Sequence, residues 1–319
     1  MLTFLKNWTL PVAMLSGALI YWICSLCSFL DPVKPAMYDL IDIVTPALIF
    51  AQLLLTFCKV NPHDLLPAGW HWWLLGFQLI TCAAVAALLI FLPMDETYHE
   101  IFEGAMVCLI CPTATAAPVI TGKLGGNVSA LTTYTLLSNM LAAVAVPLIF
   151  PLVEVHAGMS FWLAFLKILG KVFPLLLFPF ILAFILRWFL PRIHGWLLGL
   201  HDMAFYLWGF SLAIVSGQTV RSLATSDAPL SVEIWLGVIG LIACGIQFFV
   251  GKRVGTPYGD RISAGQALGQ KNTVLAIWMA YTYLNPLSSV APGSYVLWQN
   301  LFNSWQLWKK RKESESKSI

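Results

Sequence analysis

Apolar residues run in stretches of about 20 along almost the whole chain, cut by short clusters of proline, glycine and charge. Read by length and punctuation, they predict ten membrane spans at approximately 10–30, 36–58, 70–93, 101–121, 127–150, 161–190, 198–218, 231–250, 262–283 and 288–308. Two spans carry polar, broken patches. Span four holds Cys111-Pro-Thr-Ala-Thr-Ala-Ala-Pro118, and span nine holds Gly265-Gln-Ala-Leu-Gly-Gln-Lys-Asn-Thr273. Such patches are costly against lipid, so they are expected to face protein or a water-filled cavity. Interrupted spans in corresponding places of two halves point to the binding site of a secondary transporter. Ten spans divide into five and five, and five is odd. The second half would therefore enter the membrane from the opposite side, as an inverted repeat, with residues 1–155 and 156–310 as the two units.

Composition supports an integral membrane protein. Of 319 residues, 59% are hydrophobic and 10% charged, and mean hydropathy is +0.79. Spans of this length exclude a β-barrel, whose strands run about 10 residues with alternating polarity. The net charge of +3 carries no sign of nucleic acid, because the basic residues collect beside span ends. With the N-terminus inside, Lys6, Lys59, Lys123, Arg187, Arg192, Lys252, Arg253, Arg261, Lys309, Lys310, Arg311, Lys312 and Lys317 all fall on the cytoplasmic side. Lys34 and Arg221 fall outside. This asymmetry predicts a multi-pass protein of an inner or plasma membrane with both termini cytoplasmic. The charged tail 311–319 is expected to be disordered. No metal-ligand or nucleotide-binding spacing stands out, and Cys24-Ser-Leu-Cys27 lies in a span with no histidine nearby.

The chemistry concentrates in the broken spans. Pro112 and Pro118 each remove a backbone donor, and Thr113, Thr115 and Thr121 are placed to help the freed carbonyls. Span five opens with hydroxyls and continues to Thr135, Ser138 and Asn139, with 132, 135 and 139 on one helical face. Such hydroxyls also serve simply to hold helices together. Lys271 lies about nine residues into span nine, roughly 13 Å deep at 1.5 Å per residue. Its stem could snorkel part of the way back. The sharper reading puts its ammonium in a polar cavity between the broken spans.

These residues resemble the bile acid:sodium symporter family over nearly the whole chain. The resemblance rests on Cys111-Pro112 followed by small and hydroxyl residues, Gly126-Asn127 opening span five and Val146-Pro147-Leu-Ile-Phe150 closing it. It continues through Gly269-x-x-Asn272-Thr273, Ala291-Pro292-Gly293 and Trp298-Gln-Asn300. It implies a core of spans 3–5 and 8–10, a moving panel of spans 1, 2, 6 and 7, and unwound spans four and nine that cross near the bilayer middle. It implies a small organic anion as cargo, often carried with two sodium ions, and no covalent catalysis. Thr113, Thr115, Asn139, Asn272, Thr273 and Asn300 are the implied substrate contacts. Gln78, Thr135, Ser138, Ala267, Gln270 and Lys271 fall at the ion sites.

The departures are specific. Sodium-coupled relatives read Glu-x-Gly-x-Gln-Asn in span nine, where this chain reads Ala267-Leu-Gly-Gln-Lys-Asn272. They carry serine and asparagine in span four where this chain has Ala117 and Pro118. Loss of one carboxylate and gain of one ammonium is a swing of two charges against a bound cation. The expectation is therefore an organic-anion carrier with no cofactor, in which Lys271 stands where a sodium ion would and strict two-sodium coupling is lost. A sodium symporter with relocated ion sites, and a non-transporting receptor or channel of the same fold, are the alternatives.

Overall fold

The chain folds as helices punctuated where its prolines and glycines demand it. The computed structural model describes residues 2–154, 159–200 and 202–317. Thirteen α-helices are found there: α1 Leu2–Leu26, α2 Lys34–Cys58, α3 Gly69–Phe91, α4 Glu96–Ile110, α5 Ala117–Leu124, α6 Val128–Val153, α7 Phe161–Phe189, α8 Pro191–Gly199, α9 Met203–Ala224, α10 Leu230–Gly255, α11 Arg261–Gly269, α12 Thr273–Tyr283 and α13 Val290–Lys317. No strand occurs among the described residues; one isolated β-bridge joins Thr113 and Lys271. Six helices, α2, α3, α6, α7, α9 and α10, are long and apolar enough to cross a bilayer. Large apolar side chains such as Ile80, Phe91, Phe210 and Phe249 stand exposed on them, as a lipid-facing surface requires.

The expected spans four and nine are each found in two pieces, α4 with α5 and α11 with α12, so no single piece reaches full membrane length. Two other details differ from expectation. Pro191 cannot continue α7, and the chain starts a separate short helix, α8, which delays the next span to Met203. The tail expected to be disordered instead continues α13 as helix through Lys317. There the spacing Lys309–Glu313 and Arg311–Glu315 sets opposite charges four residues apart.

Local signals set the helix starts. The Asn127 side chain accepts from Ala130 N at 3.0 Å and opens α6, and the Asn272 side chain accepts from Leu275 N and opens α12. Gly125, at φ 81°, closes α5, and Gly126 N bonds back to Thr121 O at 2.9 Å. Helices pack in two sets. In one, α1 lies on α9, and α2 on α7 and α9. In the other, α3 lies on α4 and α6, and α10 on α4, α11 and α13. Contacts of α6 with α7, and of α12 with α2 and α9, join the sets.

The α1–α9 contact depends on backbone approach. A Cβ at Gly17 would overlap Ala213 O, and one at Gly217 would fall 3.1 Å from Gly17 O. In lipid, small residues at such an interface replace the hydrophobic drive that water would provide. Gly17→Leu should therefore lower the unfolding temperature in detergent, at a cost of about 1–3 kcal/mol or more. A variant as stable as the parent would show that the two helices do not need this approach.

Candidate functional site

The site forms where two helices are forced to stop in the middle of the protein. Pro112 lacks an N–H and disfavours helical geometry at the residue before it, so α4 ends at Ile110 and Cys111 is extended at φ −56°, ψ 135°. The second helix, α11, ends at Gly269, and Gln270 is extended at φ −97°, ψ 97°. The two extended segments pair antiparallel. Ala114 N donates to Gln270 O at 2.8 Å, and Asn272 N donates to Pro112 O at 2.9 Å. Each stopped helix leaves its last carbonyls without partners inside the helix, and each needs outside donors.

Those donors come in matched pairs. Thr113 Oγ1 donates to Ala267 O at 2.6 Å, four residues before Lys271. Lys271 Nζ donates to Leu109 O at 3.4 Å, four residues before Thr113. Thr113 N donates to Ser138 Oγ at 3.2 Å on α6, and Lys271 N donates to Gln299 Oε1 at 2.9 Å on α13. Four residues before each of these acceptors stands a tyrosine bonded to a glutamine. Tyr134 Oη donates to Gln78 Oε1 at 3.2 Å, and Gln247 Nε2 donates to Tyr295 Oη at 3.3 Å. The glutamines finish the capping of α4. Gln78 Nε2 reaches Ile110 O at 2.7 Å and Cys111 O at 3.2 Å, while Gln247 Nε2 reaches Cys108 O at 3.2 Å. Tyr295 Oη donates to Gly269 O at 2.8 Å and caps α11.

Lys271 is only 1% exposed, and no described carboxylate lies within ion-pair distance of it. The thiols of Cys82, Cys108 and Cys111 are its electrostatic neighbours. Its charge rests on the carbonyl end of α4, where the aligned peptide dipoles leave about half a negative charge. Interrupted carrier helices hold a coupling cation with half-helix carbonyl ends of this kind.

The expected site residues divide by position. Gln78, Thr113, Ser138, Ala267, Gln270, Lys271 and Asn272 meet at the junction, Ala267 and Gln270 through their carbonyls. Thr273 is buried at the first position of α12. Thr135 Oγ1 turns back to Leu131 O, and its own carbonyl accepts from Ser138 Oγ and Asn139 Nδ2. Asn139 is buried, and its Oδ1 has no partner among the described residues; the same holds for Gln270 Oε1. Thr115 is half-buried beside the bridge. Asn300 bonds its own helix at Val296 O, and its neighbour Gln299 faces the junction instead. Gln247, Tyr134, Tyr295 and Gln299 are junction residues that the sequence pattern does not single out. A lone glutamine in the apolar run of α10 is the available signal for the first of these.

An opening of about 570 Å³ lies between the end of α9, the first turns of α4 and the end of α12. Arg221, Ser222, Glu100, Tyr281 and Asn285 line it. Arg221 donates to Tyr281 Oη at 3.2 Å and lies 3.6 Å over the Tyr38 ring, so it joins α9 to both α12 and α2.

A helical membrane protein built around two interrupted helices joined through their extended breaks has the architecture of a transporter. Residues 18–308 match the SBF-like CPA transporter family, and the chain belongs to that family. It is also similar to a Bacillus subtilis (strain 168) protein named "Uncharacterized sodium-dependent transporter YocS". The two are 28% identical over 230 residues, which cover 69% of this chain and 68% of that protein.

The caps give a direct stability test. Thr113→Val keeps the side-chain shape but leaves Ala267 O without its donor, at a cost of about 1–3 kcal/mol. Thr113→Ser should restore most of that. Denaturant unfolding in detergent reads both, and equal stability of the two variants would contradict the capping role.

Proposed function

We propose that the protein is a secondary carrier of a small organic anion, working by alternating access around the junction of α4–α5 with α11–α12. The observation that carries this reading is the Lys271 ammonium, buried against the carbonyl end of α4. A fixed positive charge there keeps the two breaks together as a bound cation would, and it leaves an anionic cargo with no negative site to oppose it. Bile-acid-like compounds, sulfates and small carboxylates such as keto acids all meet that requirement.

The matched hydrogen bonds support ten spans in two inverted five-span repeats. Gln78, Thr113, Tyr134 and Ser138 in the first half answer to Gln247, Lys271, Tyr295 and Gln299 in the second. The two packing sets support a core of α3–α6 with α10–α13 and a panel of α1, α2, α7 and α9. The Arg221 opening then lies on the face that the lysine and arginine distribution makes external, with both termini cytoplasmic.

A second reading keeps sodium coupling at relocated sites. It is favoured by the unpartnered Asn139 Oδ1 and Gln270 Oε1, which are the oxygen ligands sodium wants, and by the sodium dependence in the relative's name.

The readings separate in proteoliposomes. Bile salts, steroid sulfates and short keto acids are screened for a thermal shift, and the best is used for counterflow. The lysine reading expects equal binding in sodium and in choline. It further expects the double variant Ala267→Glu/Lys271→Gln to bind at least about tenfold better in sodium, or about 1.4 kcal/mol. Loss of wild-type binding in choline would favour relocated sodium sites. Binding without counterflow would favour a receptor.

A further inference from the structure

Glu103, on α4 about two turns from its start, is wholly buried, and its two oxygens are treated differently. Oε2 accepts from Asn285 N at 3.2 Å. Among the described residues Oε1 has no hydrogen bond, and the basic group within ion-pair distance of it is His99 Nδ1 at 3.5 Å. A buried carboxylate oxygen left this way carries a large desolvation cost unless a positive charge reaches it or a proton neutralises it. His99 lies one turn earlier on the same face, and Glu154, at the end of α6, closes the third side. One ligand atom from each of the three lies within 4.8 Å of the others.

Around this trio the turn before α13 supplies a fixed outer layer. Asn285 gives its backbone N–H to Glu103 and its Nδ2 to Glu100 Oε1 at 2.6 Å, so one residue orients Glu100 and Glu103 together. Such outer bonds are what hold the ligands of a metal ion at a set angle. With 29% of its side chain exposed, His99 leaves a path to water.

We propose that His99, Glu103 and Glu154 form a binding site for a divalent first-row transition ion, zinc being the natural probe. The donor set is one imidazole nitrogen and two carboxylate oxygens. Imidazole disfavours calcium and magnesium, and two carboxylates neutralise a divalent ion. A water would complete four-coordination. The ion would tie the start of α4 to the end of α6, on the side away from the basic span ends. The site is independent of Lys271 and of which anion is carried.

The test uses the full-length protein in detergent, stripped with a chelator and re-loaded with zinc alone. Bound metal is counted by mass spectrometry, and thermal unfolding is followed with and without zinc. One ion per chain and a raised unfolding temperature are expected. His99→Ala and Glu154→Gln, both on partly exposed side chains, should each weaken binding by more than about tenfold. Glu233→Gln, on another helix, should change nothing. Absence of bound zinc in the parent, or undiminished binding in both site variants, overturns the proposal. A stability that follows pH but ignores zinc would do the same, by assigning the charge balance to a proton shared between the two glutamates.

Discussion

Inside a bilayer there is no water to satisfy a backbone that leaves the helix, and this one constraint organises the molecule. Two helices stop where Pro112 and Gly269 stop them, and the carbonyls they release find partners within the protein. The pairing of the two breaks accounts for two bonds. Gln78, Gln247, Tyr295, Thr113 and Lys271 supply donors to most of the other carbonyls at the helix ends. An open backbone at membrane depth is tolerated only when it is covered in this way.

The constraint also links structure to transport. A junction built from a few side-chain caps is stable, yet it is not a continuous helix, and it keeps polar groups at the depth where a cargo would cross. Lys271 caps α4 with its amine, and on the proposed reading its charge also sets the electrostatics of the crossing. A glutamine in its place, as in the sodium-coupled frame, would offer an oxygen to a cation but no charge of its own. Among the described residues the Lys271 ammonium faces carbonyl dipoles and thiols and no carboxylate, a placement that is costly to keep.

The breaks are legible in the sequence because proline, glycine and polar side chains rarely stand inside an apolar run without interrupting the helix or facing a cavity. Lys271 and Thr113 stand out for that reason. Long apolar runs give the spans of α2, α3, α6, α7 and α10 closely. The partners are less visible. Tyr134 and Tyr295 sit among many aromatic residues, of which the tryptophans near span ends suit an interface with lipid headgroups. Their role depends on a four-residue offset from Ser138 and Gln299 that matters only once the breaks are paired. The sequence points to Asn300 rather than Gln299 because adjacent residues on a helix differ by about 100° and the pattern does not fix the facing side. The charges of the tail suggest solvent and hide its helix, although their spacing also suits one.

The most direct test of the lysine's role is a pair of high-resolution structures of the wild-type protein, one in sodium and one in choline. The account predicts the Lys271 amine against Leu109 O in both, with no ion density among the carbonyls of the two breaks. A sodium ion held by those carbonyls, with the lysine side chain displaced from the junction, would contradict it.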